Sequence, residues 1–273
     1  MTSAACSPVA NIAPTVTDTG HPVVTETPVT NSAEPVTLTV MAAASLTESF
    51  TELGAVFELQ NPGVKVVFNF AGSQALAEQL AQGAEADVFA SASEKYMIFA
   101  VDSKRVNTED IKNFAKNRLV VIFPKDNPAG ITSLADLTGS GIKIDLAHKN
   151  VPVGQYTLEF LDKANATPFL DEDYKDKVLD NVVSFEENVK VVVTKVLLGE
   201  ADAGIVYLTD ITSEASEKVG TLAIPTDLNY LASYPIALIA TSKNYDLAKA
   251  FIALVLSPEG QAVLAKYKFI PVA

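Results

Sequence analysis

The sequence predicts an α/β fold with largely parallel, buried sheets. Three observations carry that prediction. β-branched and aliphatic runs alternate with helical patterns from Val36 onward, as they do in strand–helix–strand units. The runs Arg118–Phe123 and Tyr234–Ala240 are mostly apolar in succession, as strands covered on both faces are. The joints from strand to helix are repeatedly small or hydroxyl residues, which suits open α/β sheets whose ligands sit beyond the strand ends.

Val36-Thr-Leu-Thr-Val starts the first strand, which passes through Met41-Ala-Ala-Ala44 to Ser45. Leu46, Phe50, Leu53 and Phe57 then recur on one face of a helix. Ser45 and Glu48 have the Ser-x-x-Glu spacing of a capping box, which predicts a helix start at Ser45. Asn61-Pro-Gly63 stops that helix. Val64–Phe70 is a second strand, and it runs through Ala71-Gly-Ser73 into a helix with Leu76 and Leu80 inward, closed by Gly83. Ser73 thus repeats the position of Ser45. Asp87–Ser93 is a third short strand and Arg118–Phe123 a fourth, followed by a Pro/Gly-rich loop through Gly130. Lys143–Ala147 leads to Val151-Pro-Val-Gly154 and a helix carrying Tyr156, Phe160, Leu161 and Ala164. Val182–Phe185 is a strand, and Glu186-Glu-Asn188 opens a helix with Val189, Val192, Val193, Val196 and Leu197, closed by Gly199. Ala203–Tyr207 and Tyr234–Ala240 are the remaining strands, with helices over about Asp246–Val255 and Pro258–Tyr267. The acidic runs Asp171-Glu-Asp173 and Glu186-Glu187 read as solvated helix starts.

The chain of 273 residues suffices for one large or two moderate domains. From Ser7 to Pro35 it carries Pro8, Pro14, Pro22, Pro28 and Pro35, no Lys or Arg and no sustained period, a composition expected to act as an extended tether over 1–35. The formal charge of −13 argues against a nucleic-acid partner. It leaves a small anion open, because local dipoles decide binding at a site. The single cysteine, Cys6, excludes an internal disulfide. Its setting, Ala4-Ala5-Cys6-Ser7, resembles the end of a bacterial lipoprotein signal without the apolar segment that should precede it. Met1–Ala5 is read as foreign to the mature chain and Cys6 as its lipidated first residue. The competing reading is a free thiol on a tail.

Several chemistries are missing. There is no Gly-x-x-x-x-Gly-Lys-Ser/Thr loop, no Gly-x-Gly-x-x-Gly after the first strand and no Gly-x-Ser-x-Gly elbow. His21 lies in the tether, and His148 reads as a loop histidine at a strand end, so neither a histidine-rich metal site nor a serine–histidine site assembles. What remains is a set of helix N-termini reached from strand ends: Ser45, Ser73, Val153-Gly154 and Asn188-Val189. Their free N–H groups and the serine hydroxyls, if they converge, make a cage for a small oxyanion that needs no Lys or Arg. Each motif taken alone is equally an ordinary helix start.

At this point the residues resemble the molybdate-binding proteins of bacterial ABC importers. The resemblance covers nearly all of Val36–Ala273. It rests on Ala43-Ala-Ser-Leu-Thr47, on Ala71-Gly-Ser73 with Gly83-Ala-Glu-Ala-Asp-Val-Phe-Ala-Ser-Ala92, on Val151-Pro-Val-Gly154 and on Gly204-Ile-Val-Tyr207. It implies a two-lobed type II periplasmic-binding-protein fold with two crossing strands as hinge, lobe 1 being 36–118 and 235–273 and lobe 2 being 119–234. Ser45 and Ser73 would then serve molybdate or tungstate through hydroxyl and backbone N–H, Val153 and Val189 through backbone N–H, and Tyr207 through its hydroxyl. From the residues alone Tyr207 is a strand-end tyrosine half buried in the core. The family usually has Asp-Pro where this chain has His148-Lys149, and alanine where it has Val153. The acidic ligand that expands coordination in archaeal relatives has no counterpart in Asn150-Val151-Pro152-Val153, so an intact tetrahedral ion is expected.

The resemblance further implies no catalysis and no cofactor, an extracytoplasmic monomer, and permease subunits of an ABC importer as partners. Membrane contact would come only through Cys6. The rivals are a sulfate-binding or other oxyanion-binding transport protein and, from a different class, an enzyme on a related two-lobed scaffold that would have to use His148.

Overall fold

β1 (Val36–Ala43) ends in a single 3-10 turn, Ala44–Leu46, before α1 (Thr47–Gln60). The computed structural model describes Met1, Ala5 and residues 36–272. The rest of the tether expected over 1–35, Cys6 included, lies outside the described residues. Leu46, Phe50, Leu53 and Phe57 are all buried, as their spacing predicts. Gly63 closes the connection to β2 (Val64–Ala71) at φ +88°, a conformation that favours glycine.

The chain continues as α2 (Ser73–Ala81), β3 (Val88–Ala90), α3 (Glu94–Asp102) and β4 (Lys112–Pro124). β5 (Ile144–Ala147), α4 (Pro152–Asn165), α5 (Tyr174–Asp180), β6 (Val182–Glu186), α6 (Val189–Leu197) and β7 (Ala203–Tyr207) follow. α7 (Ser213–Lys218), β8 (Val219–Ala223), β9 (Leu231–Leu238), α8 (Tyr245–Leu256), α9 (Pro258–Lys266) and β10 (Ile270–Pro271) complete the described residues. Strand order is β2-β1-β3-β9-β4-β7-β5-β6, with β8 and β10 also on β4.

β4 joins two groups of strands. Its Lys112–Arg118 half pairs with β9, and its Leu119–Phe123 stretch pairs with β7 and β8. Parallel pairs are β1–β2, β1–β3, β5–β6 and β5–β7. Every pair made by β4 or β9 is antiparallel, so the sheets are mixed rather than largely parallel. The apolar runs that suggested parallel strands are instead long antiparallel members, buried because helices cover both faces.

β4 begins at Lys112, six residues before the expected strand, since Lys112, Asn113, Lys116 and Asn117 hide its first half as polar sequence. α3, α7, β8 and β10 were not foreseen either, whereas the acidic run Asp171-Glu-Asp173 does precede a helix, α5. Glu186 corrects another expectation. It closes β6 instead of opening a helix in solvent, and its carboxylate sits 2.6 Å from Lys195. Glu187 is exposed as expected.

Aromatic rings dominate the contact of α1 with α8, and valines that of α6 with β5 and β7. Phe251 of α8 meets Phe50 and Phe57 of α1 edge-on at 5.9 and 5.4 Å, while Val192, Val193 and Val196 of α6 are buried against β5 and β7. Each such side chain contributes roughly 1.5–3 kcal/mol by leaving water. Gly204 opens β7 to that helix, since a Cβ there would stand 2.8 Å from Val192 Cγ1.

One buried charge opposes this stability. Asp145 of β5 is fully buried, and among the described residues neither carboxylate oxygen has a hydrogen-bond partner. Burial first, then the negative charge of Glu186, push its carboxyl up to about 7, against the pull of Lys195. The native state therefore holds this proton where the unfolded chain has lost it, so stability falls as pH rises from about 4 to about 7. Asp145→Asn is expected to raise stability at pH 8 by on the order of 1–2 kcal/mol and to have little effect at pH 4. Urea unfolding at the two pH values checks this, and equal midpoint shifts at both would contradict it.

Candidate functional site

Six strand-to-helix or strand-to-turn joints converge. Ala43, Ala44 and Ser45 after β1, Ala71, Gly72 and Ser73 after β2, and Ala92 after β3 form one wall of a cavity. Val151, Pro152 and Val153 at the start of α4, Asn188 and Val189 at the start of α6, and Tyr207 at the end of β7 form the other. All five ligand residues expected from the sequence (Ser45, Ser73, Val153, Val189 and Tyr207) line this one space. Its free volume is only about 10 Å3, far below the roughly 300–1,000 Å3 of pockets for drug-sized molecules. None of its lining residues is charged.

The walls present N–H groups because of how each helix begins. α4 starts on Pro152, which has no N–H to satisfy, and its first-turn N–H groups from Val153 on have no carbonyl four residues back within the helix. At α6 the Asn188 side chain accepts from the N–H groups of Lys190 and Val191. That capping leaves the Val189 N–H for another acceptor. α2 starts at Ser73 after Gly72, with no side-chain cap. The positive ends of α2, α4 and α6 therefore face one cavity, an arrangement that favours an anion.

The hydroxyls differ from their sequence reading. Ser45 makes no capping box with Glu48, because a 3-10 turn precedes α1 and Ser45 lies inside that turn. It is buried, and its Oγ lies 2.9 Å from Tyr234 Oη. Ser73 Oγ accepts from the N–H of Ala92 at 3.0 Å, so the hydroxyl proton is left to donate. Tyr207 is more buried than a half-covered strand-end tyrosine, at 1% exposed, and its hydroxyl has no partner among the described residues. Burial holds that phenol far above the usual tyrosine range, so it is a neutral donor.

Further contacts tie the two walls together. Gln74 Nε2 donates to the Glu187 carbonyl at 2.8 Å, and Tyr156 Oη donates to the Ala92 carbonyl at 3.3 Å. Tyr96 Oη donates to the Asn150 carbonyl. A Cβ on Gly72 would stand 2.6 Å from the Glu187 oxygen, so glycine permits this approach. Lys190 of α6 bridges Glu48 of α1 at 2.8 Å and Asp210 at 3.5 Å. Burial opposes the charge on Lys190, but Asp210 and Glu48 outweigh it and raise its pKa. Burial also pushes the Asp210 carboxyl up to about 6, with Lys190 pulling the other way.

Sequence reasoning missed Ala92, Gly72 as a point of approach, and the tyrosines behind the wall. The small residues Ser91-Ala92-Ser93 were the only signal for the first. His148 is exposed beside the cavity wall, its Nδ1 accepting from the Asn150 N–H at 3.2 Å, and it does not line the cavity. Val153, the departure from alanine, is fully buried. Among the described residues no group of three or more His, Cys, Asp or Glu could hold a metal ion directly.

Residues 38–270 match the family model of the bacterial extracellular solute-binding proteins. A molybdate-binding protein ModA of Mycobacterium tuberculosis is 38% identical over 232 residues, 85% of this chain and 84% of the relative. A putative ABC transporter substrate-binding lipoprotein, YvgL, of Bacillus subtilis is 33% identical over 242 residues, 88% of each chain. The solved substrate-binding domain of a putative molybdenum ABC transporter from Clostridium difficile superposes with a TM-score of 0.65 at 31% identity, covering 87% of this chain and 100% of that one. With its strand order, its cavity of helix N-termini and these relatives, the chain belongs to the ModA family of bacterial extracellular solute-binding proteins.

Proposed function

We propose that this protein captures molybdate or tungstate outside the cytoplasm, as an intact tetrahedral dianion, and hands it to the permease of an ABC importer. The observation that carries the reading is the convergence of Ser45, Ser73, Val153, Val189 and Tyr207 on one uncharged cavity. Hydrogen bonds to an ion contribute roughly 1.5–3 kcal/mol each, so several together offset the cost of taking a dianion out of water. Ser45 and Ser73 act through hydroxyl and N–H, Val153 and Val189 through N–H, and Tyr207 through its hydroxyl. The Ser73 oxygen already accepts from protein, so the cage presents donors, which suits an ion with no proton of its own.

Residues 36–118 with 235–273 and residues 119–234 act as two lobes that close on the ion, hinged where the chain passes between the strand groups. The bridge from Lys190 to Glu48 would hold the closed form. The protein works as a monomer without cofactor or turnover, and no nucleic acid is involved. Cys6 is its acyl anchor at the membrane surface, a reading supported by its sequence setting and by the lipoprotein among the relatives.

Sulfate is the competing ligand because it has the same charge and shape, but its shorter bonds underfill the cage. Side-by-side titration of ligand-free protein with molybdate, tungstate and sulfate tests the reading. Molybdate and tungstate should bind at one per chain and sulfate more weakly, while saturation by sulfate alone would transfer the assignment to sulfate.

A further inference from the structure

Behind Ser45 lies a buried chain of polar side chains that touches no cavity surface. Asn117 sits on β4 next to the point where that strand changes partners from β9 to β7. Its Oδ1 accepts from the N–H of Arg118 at 2.9 Å. Turning the amide over would set two donors against each other, so its orientation is fixed. Its Nδ2 therefore donates to Thr209 Oγ1 at 2.8 Å and to Tyr234 Oη at 3.2 Å. Tyr234 Oη stands 2.9 Å from Ser45 Oγ. Asn117, Tyr234 and Ser45 are all at least 97% buried, so water does not compete for these groups.

Tyr234 Oη receives a hydrogen from Asn117, and in its bond with Ser45 Oγ either oxygen can donate. When Tyr234 donates, Ser45 accepts, and its own hydroxyl hydrogen is left for the cavity it lines. We propose that Tyr234, held by Asn117, is a positioning residue that compels Ser45 to donate its proton toward the bound oxyanion. This proposal rests on the oxyanion reading of the cavity. Without the Tyr234 hydroxyl, the Ser45 proton is free to turn back toward the protein, and binding must first reorient it. Polarisation along the chain adds to the effect, since each bond strengthens the next donor. The Tyr234 ring needs no hydroxyl to stay in place: Phe114, Tyr207 and Phe269 hold it edge-on at 6.2, 5.9 and 5.3 Å.

A double-mutant cycle read by calorimetric titration with molybdate tests this. Tyr234→Phe in the native background is expected to weaken binding about tenfold. In the Ser45→Ala background the same change should alter the dissociation constant by less than about twofold, because the proton it directs is gone. A purely structural role for Tyr234 predicts the same loss in both backgrounds, and that result overturns the proposal, as does native affinity in Tyr234→Phe alone. If Tyr234→Phe does not fold, Asn117→Ser, which removes the amide donor, carries the same cycle with the same expected pattern. Native protein that binds none of molybdate, tungstate and sulfate removes the reading of the cavity and this proposal together. Native binding with an additive cycle removes this proposal alone.

Discussion

Gly154→Ala is expected to destabilise the protein by about 2–4 kcal/mol and to abolish capture of the oxyanion. A Cβ at this position would stand 2.3 Å from the His148 carbonyl oxygen, 2.4 Å from that of Ala147 and 2.8 Å from the His148 carbonyl carbon. All three are backbone atoms at the end of β5, so nothing flexible can move aside. Gly220 makes a useful contrast, since its nearest atoms belong to the Phe123 ring, which can swing away. At Gly154 the first turn of α4 must shift instead, and that turn carries Val153, which lines the cavity. Urea unfolding gives the first effect and titration with molybdate the second. A variant within about 0.5 kcal/mol of the native protein, typical of a neutral surface change, would contradict the close approach of α4 to β5.

Tyr207→Phe is expected to move stability and affinity in opposite directions. The Tyr207 hydroxyl is buried without a partner among the described residues. An unmet buried polar group costs about 1–3 kcal/mol, so its removal should stabilise the free protein by an amount in that range. The same hydroxyl is a proposed donor to a charged ligand, worth roughly 1.5–3 kcal/mol, so affinity should fall about 10- to 150-fold. The ring packs edge-on with Tyr234 at 5.9 Å and should keep that contact as phenylalanine. Thermal unfolding without ligand and calorimetry with molybdate read the two effects separately. A free protein of lower stability together with unchanged affinity would return Tyr207 to the core role that its strand position alone suggests.

The legible parts of the fold are those where local pattern and tertiary environment agree. Leu46, Phe50, Leu53 and Phe57 showed the buried face of α1, and Gly63, Gly83 and Gly199 marked ends that adopt positive φ. Ala203–Tyr207 matches β7 at both ends. The illegible parts depend on distant partners. The polar start of β4 is a strand because β9 and β10 lie beside it, and the pairing direction of β4 and β9 is not written in their apolar runs. Ser45 misled for a similar reason: its spacing to Glu48 suits a cap, yet Tyr234, distant in sequence, claims its hydroxyl, and Glu48 pairs with Lys190.

For the site, residue patterns pointed to the helix starts at Ser45, Ser73, Val153 and Val189 as possible anion donors. Their convergence is a tertiary fact. Tyr207 entered only through the family resemblance, since nothing in Gly204-Ile-Val-Tyr207 distinguishes a ligand tyrosine from a core one. Tyr234 and Asn117 gave no usable signal, and Ala92 only the small residues around it, because each acts through a neighbour brought close by the sheet.

The central claim, that an uncharged cage of N–H and O–H donors takes a tetrahedral metal oxyanion, meets its most direct test in calorimetry. Ligand-free protein at neutral pH would be titrated in turn with molybdate, tungstate and sulfate. The structure predicts one molybdate or tungstate per chain, with similar affinities because the two ions share size and charge, and sulfate clearly weaker. No binding of molybdate or tungstate to folded protein would contradict the account.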